Sequence, residues 1–279
     1  MRLIPYVIGV LYRAIAKPIC FRFDPEGVHD AITALGVFLG RFLFVRQMTR
    51  WAFAYQDPRL KQIIAGVPFL NPIGLSAGFD KNVKLISLLP SIGFGATEFG
   101  SITLKPYGGN PKPRLVRLPK SKGIVVNYGL MNDGVEAIIP RLRAHADDMV
   151  VGISIAKTNS IKTATLEKGV EDYAQCLQAV RDAGVGDYYT LNVSCPNAFG
   201  GEPFTTKETL TMLLERVQTV HATKPIFVKL PINLAMDDLD GLLRVCVQFC
   251  VAGVIIGNLT KVRDPGLIHD PIAHKAKGG

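Results

Sequence analysis

From Gly66 onward, short apolar runs alternate with longer amphipathic ones. Six runs read as strands: Asn71–Gly78, Gly95–Gly100, Met149–Ala156, Tyr188–Val193, Ile226–Lys229 and Gly253–Ile256. They are short, rich in β-branched residues and apolar at most positions, as strands largely buried on both faces are. Stretches with a 3.6-residue period separate them. These predict helices from Asn82 to about Ile92, over Gly169–Ala183, over Thr206–Thr223 and over Asp237–Val251. Strands alternating with helices mean βα units and a parallel sheet. The first 65 residues differ. They read as helices, one of them opened by Asp24-Pro25-Glu26, with a capping carboxylate, a proline suited to the first turn and an acid at the positive end.

Polar residues gather just after each strand: Ser76 to Lys81, Ser101, Ser154 to Lys157, Asn192 to Asn197, Lys229 and Asn258. In a (β/α)8 barrel all these positions meet at one face, the face that carries the active site. An open doubly wound sheet could also use six strands, but no Gly-x-Gly-x-x-Gly turn follows the first one. The expected fold is therefore an α/β (β/α)8 TIM barrel lacking its last two βα units, residues 66–279, behind a small helical extension, residues 1–65.

Charge changes the picture of that extension. The chain of 279 residues carries a net charge of +9. Nine basic residues against four acidic ones put +5 of it in residues 1–65, among long apolar runs. Such a segment suits an anionic membrane surface, and no nucleic-acid motif accompanies it. Met1–Cys20 carries Arg2, Arg13 and Lys17, and Ala31–Val45 is short and interrupted by Arg41. A spanning helix needs about 20 apolar residues, so both are expected to lie in the interface or to pack on the main domain. Five cysteines without a paired framework or zinc spacing point to a reducing compartment and to no metal site. Cys246 and Cys250, one helical turn apart, read as core packing.

The densest chemistry lies in Tyr188–Gly201, where Asn192, Ser194, Cys195 and Asn197 follow a strand and precede Gly200-Gly201. A thiol there is either a small packed hydrophobe or a base or nucleophile at the lip of an active site.

Six motifs in order resemble the dihydroorotate dehydrogenase family. They are Asn-Pro-Ile-Gly-Leu-Ser-Ala-Gly-Phe-Asp-Lys-Asn (71–82), Glu-Phe-Gly-Ser-Ile-Thr (98–103), Gly-Asn-Pro-Lys-Pro-Arg-Leu-Val-Arg-Leu (109–118), Asn-Val-Ser-Cys-Pro-Asn (192–197), Val-Lys-Leu (228–230) and Ile-Gly-Asn (256–258). Phe-Arg-Phe-Asp-Pro-Glu-Gly-Val-His-Asp (21–30) looks like the extension of the class 2, quinone-reducing, membrane-associated members. The resemblance implies oxidation of dihydroorotate to orotate through FMN, with a membrane quinone as acceptor, in pyrimidine (UMP) synthesis at the cytoplasmic side of the cell membrane. It implies that Ala77, Gly78 and Ser101 line the flavin, together with Ser154, Asn192, Gly257 and Gly279, and that Lys229 stabilises the anionic reduced flavin. Lys81 would bind the substrate carboxylate, and Asn132, Asn192, Asn197 and Asn258 would hydrogen-bond the pyrimidine ring. Cys195 would remove the C5 proton, its pKa lowered by nearby cations. His29 and Arg117 match the quinone path.

The chain departs from the family pattern in five places. Class 2 members usually carry Ser where Cys195 stands, Cys being the class 1 choice. The substrate segment Asn127-Tyr-Gly-Leu-Met-Asn132 is one residue short before its glycine. Ser154 replaces a flavin-contacting Asn, and Gly257 a Thr. Gly278-Gly279 matches the start of a Gly-Gly-Leu-Ser-Gly segment, beyond which the family's phosphate-binding strands have no counterpart. Two other readings stay open: a class 1-like enzyme with a soluble acceptor such as fumarate, or an inactive fragment unable to hold FMN.

Overall fold

In a computed structural model, which describes residues 3–144 and 149–279, the six apolar runs form one parallel sheet. Its strands are β3 (Gly74–Leu75), β4 (Ala96–Ile102), β7 (Val150–Ile155), β8 (Tyr188–Asn192), β9 (Ile226–Leu230) and β10 (Gly253–Ile256). They pair strictly in chain order, β3–β4–β7–β8–β9–β10, and every pairing is parallel. A doubly wound sheet reverses its strand order at a switch point. This one never does, so it is an arc of a barrel. Among the described residues no strand joins β10 to β3.

Two-sided burial explains the unbroken apolar runs. Every residue of β4, β7 and β8 is buried. Phe99, Ile153, Ile155 and Leu191 are fully enclosed, with Leu177 and Leu213 packed over them. Those two leucines belong to α6 (Leu166–Asp182) and α7 (Lys207–Gln218), which with α8 (Met236–Gln248) cover the outside of the arc. Both α6 and α7 start where a threonine can cap. Thr165 accepts from Lys168 N–H, and Thr206 and Thr209 cap each other reciprocally.

The extension holds three helices. The first, α1 (Leu3–Cys20), is continuous and, at 18 residues, long and apolar enough by length and composition to cross a membrane. This is more regular than expected from its charges; Met1 and Arg2 lie outside the described residues. Next come α2 (Pro25–Leu39) and α3 (Leu43–Phe53), with Asp24 capping α2 as expected. A hairpin, β1 (Gln62–Ile64) and β2 (Val67–Phe69), turns on Ala65 and Gly66, both at positive φ. The expected boundary at residues 65 and 66 thus falls at the tip of this hairpin. Val67 packs with Ala96, Val150 and Tyr188 at the N-terminal ends of the strands.

Three segments differ from expectation. After Asn82 there is a loop ending in one short helical turn, α4 (Leu89–Ile92). Asp80 accepts from the N–H groups of Asn82, Lys84 and Leu85, and Val83 takes a positive φ, so the backbone is held out of a helix. The proline-rich excursion contains a second hairpin, β5 (Leu115–Leu118) with β6 (Gly123–Val126). Helix α5 (Val135–Arg143) was not expected; Pro140 inside it masks the helical pattern.

That second hairpin binds the extension. Arg114 grips the buried Glu26 carboxylate at 2.7–3.2 Å through Nε and Nη2, and Lys112 approaches it at 3.4 Å. Arg117 donates to the Phe23 carbonyl and covers the Phe21 ring. The start of α2 is thereby pinned beside the C-terminal mouth of the barrel.

Candidate active site

A cavity of about 480 Å3 opens at the C-terminal ends of the strands. Five of the six strands deliver a polar or small group to it: Ala77 and Gly78 after β3, Ser101 on β4, Asn192 on β8, Lys229 on β9 and Asn258 after β10. Lys81, Cys195 and Asn197 enter from the loops, and His29 enters from α2.

Ser101, Asn192 and Asn258 are locked by one chain of hydrogen bonds. Ser154 and Ser101 share a hydroxyl contact of 2.8 Å, and Asn192 donates to Ser101 at 2.7 Å. Ser194 donates to Asn192 Oδ1 through both its N–H and its hydroxyl. Asn258 in turn donates to the Ser194 carbonyl at 2.8 Å. Asn192 and Asn258, two of the three amides that line the cavity, are therefore oriented by serines behind them, as a pre-organised binding site needs. Asn197 donates to the Val126 carbonyl, and its Oδ1 accepts no hydrogen bond among the described residues.

The cations are less well satisfied. Lys229 is nearly buried, yet it makes no hydrogen bond or ion pair among the described residues. Glu98 lies close enough for Lys229 to pull its carboxyl pKa down, although burial pushes it up more. Lys81 Nζ stands 4.0 Å from the centre of the Tyr128 ring, a cation–π contact, with Arg114 on the same ring at 5.1 Å. Burial first, and then the Arg114 charge, hold the Lys81 pKa below the usual ammonium range. Tyr128 is pushed up to about 12, mainly by burial.

Cys195 corrects an expectation. Burial pushes its thiol up, which outweighs the backbone N–H groups of Asn197 and Ala198 and the more distant charge of Lys261. The thiol is the dominant form at neutral pH, not the thiolate. His29 meets the Phe79 ring edge-on at 5.4 Å, and burial lowers its pKa.

Five of the expected site residues do not line the cavity. The Asn132 amide is consumed by the turn it sits in: Nδ2 donates to Thr103 Oγ1 and the Leu130 carbonyl, while Oδ1 accepts from Thr103 and Gly134 N–H. Ser154 stands behind Ser101 and touches the site only through it. At Gly257 a Cβ would meet Ile232 at 2.9 Å, so this glycine answers a packing need. Gly279 pairs with Val126 through both backbone groups. Arg117 serves the extension, as described above. Conversely, sequence reasoning gave no role to Tyr128, next to Asn127 in the substrate segment, or to Ser194, which joins two of the amides.

Six parallel strands in chain order with one polar cavity at their C-terminal ends define a β/α-barrel enzyme. The family model described as dihydroorotate dehydrogenase matches residues 59–279. A dihydroorotate dehydrogenase (quinone) of Gloeobacter violaceus is 35% identical, over 91% of this chain and 70% of its own length. One of Synechococcus sp. is 34% identical, over 96% of this chain and 73% of its own. The crystal structure of an Eimeria tenella DHODH in complex with ferulenol superposes with a TM-score of 0.80 at 26% identity, covering 91% of this chain and 72% of that one. The chain belongs to the dihydroorotate dehydrogenase family.

Proposed function

We propose that this chain oxidises dihydroorotate to orotate with FMN held in the cavity, and that the electrons pass to a membrane quinone. The observation that carries this reading is the convergence, in one cavity, of a thiol, two lysines and three amides. No observation favours a soluble acceptor, and the relatives named above carry the quinone description.

The lining fits a flavin ring. At Gly78, which has a φ of +108°, a Cβ would find no atom within 4 Å, so a flat ring can approach the backbone. Leu75 and Ala77 give that side an apolar surface. The unpartnered Lys229 ammonium offers the positive charge that a reduced, anionic flavin needs. Ala77, Gly78, Ser101, Asn192 and Lys229 would hold the ring. When bound, the flavin supplies the hydride acceptor and the relay to the quinone.

The chain's own groups do the rest. Lys81, poised over Tyr128, meets the substrate carboxylate, and that anion raises the depressed lysine pKa again. Asn192, Asn197 and Asn258 present amide edges to the ring's N–H and C=O groups. Cys195 accepts the C5 proton as thiolate.

Because the Cys195 thiol titrates above its ordinary range, the active fraction grows with pH. Flavin reduction by dihydroorotate is expected to rise roughly tenfold per pH unit through neutral pH, below the raised thiol pKa, and substrate binding to weaken at higher pH once Lys81, whose pKa burial lowers, loses its proton. Stopped-flow rates across that range test the reading. A flat profile would remove Cys195 from the base role.

We further propose peripheral attachment at the cytoplasmic side of the cell membrane. No residue of the Leu3–Leu11 segment is buried, and Ile32, Leu35, Phe38, Phe44 and Trp51 on α2 and α3 are exposed. Cationic residues beside such apolar faces suit an anionic bilayer surface. Deleting residues 1–53 should abolish cosedimentation with anionic vesicles; undiminished binding would refute attachment through this segment.

A further inference from the structure

The backbone of the loop that carries Cys195 is held at Ser194, Pro196 and Asn197 by Asn258, Lys261 and Asn110, and at Phe199 by two side chains at once. Phe199 N–H donates to Asn159 Oδ1 at 2.7 Å, and the Phe199 carbonyl accepts from Lys157 Nζ at 3.0 Å. The Phe199 ring does not help, being 49% exposed. Immediately beyond, Gly200 and Gly201 have positive φ and nothing within 4 Å of where a side chain would start, so the loop loses its packing there.

Both anchors stand after β7, and neither lines the cavity. Lys157 is 4% exposed and forms no ion pair among the described residues; its second acceptor is the Thr163 carbonyl at 3.1 Å. A buried ammonium bound by two backbone carbonyls is a costly arrangement for packing alone. Asn159 also donates to the Gly129 carbonyl at 2.9 Å, beside Tyr128 on the cavity wall. It thus joins the Cys195 loop to the turn that faces Lys81.

We propose that Lys157 and Asn159 are positioning residues: they clamp the Phe199 backbone and hold the Cys195 loop closed over the cavity. The catalytic meaning of the clamp rests on Cys195 being the base.

Alkylation rates read the loop without reading catalysis. Iodoacetamide labelling of the full chain, resolved by peptide mass spectrometry, follows each cysteine. Cys176, wholly buried in α6, reports global opening, and the exposed Cys250 reports reagent activity. Asn159→Ala is expected to speed Cys195 labelling by about tenfold, the size of a lost hydrogen bond, with Cys176 unchanged. Lys157→Met should do the same. Asn159→Asp keeps the acceptor for Phe199 N–H and should restore most of the protection. An unchanged Cys195 rate in both disrupting variants overturns the clamp. So does a rise of Cys176 in step with Cys195, because the two residues would then merely hold the fold, and so does failure of Asn159→Asp to restore protection. If labelling responds as expected while Cys195→Ala still reduces flavin at the original rate, the clamp stands and the base assignment falls.

Discussion

Replacing Cys195 by alanine should slow flavin reduction by dihydroorotate about a thousandfold, within the range that a positioned general base contributes. The side chain stands at the end of β8, among Asn192, Asn197 and Asn258, on a loop tied down on both sides of the cavity. Alanine removes the proton acceptor and leaves that hydrogen-bonded frame intact. Flavin retention and thermal stability should therefore stay close to those of the parent. The residual rate should also lose its rise with pH, because the group whose ionisation produced it is gone. A serine at the same position tests the thiol itself. Its higher pKa should leave activity between the parent and alanine at neutral pH.

Replacing Lys81 by methionine should weaken dihydroorotate binding by about a hundredfold to a thousandfold, the range for removing one partner of a buried charge pair. Nothing else is placed to compensate. Arg114, on the same Tyr128 ring, is already committed to Glu26, and Lys229 rises from β9. Lys81 itself is half-buried and pairs with no carboxylate among the described residues, so methionine relieves part of a desolvation cost. The variant should be at least as stable to heat as the parent while its KM rises steeply. Unchanged KM, measured by steady-state titration with dihydroorotate, would place the carboxylate elsewhere. A large drop in melting temperature would make Lys81 a fold residue.

The strands were legible because burial on both faces writes itself into the chain. Ile153, Ile155 and Leu191 are fully enclosed, and most positions of these strands are apolar. Two helix starts were legible for a local reason too, since Asp24 and Thr206 cap within three residues of themselves, whereas Thr165 starts α6 four residues before the expected Gly169. The helix expected after Asn82 failed on an equally local competitor, the Asp80 carboxylate, whose preference for the N–H groups of Asn82, Lys84 and Leu85 cannot be weighed without coordinates. Helix α5 was hidden by Pro140, a residue that usually argues against a helix interior.

At the site, residue types were legible and their commitments were not. Asn132 carries the right amide, but Thr103, 29 residues away, engages it. The rise in the Cys195 pKa follows from what packs around it, and the sequence shows only that cations exist nearby. Lys157 looks like a surface lysine after a strand until the loop from β8 folds over it and presents the Phe199 carbonyl.

The most direct test of the account is an anaerobic titration of the chain, supplied with FMN, by dihydroorotate, with Cys195→Ala alongside. The account predicts that bound flavin absorbance bleaches stoichiometrically in the parent and about a thousandfold more slowly in the variant. Flavin that fails to bind, that stays oxidised in the parent, or that bleaches equally fast in both would contradict it.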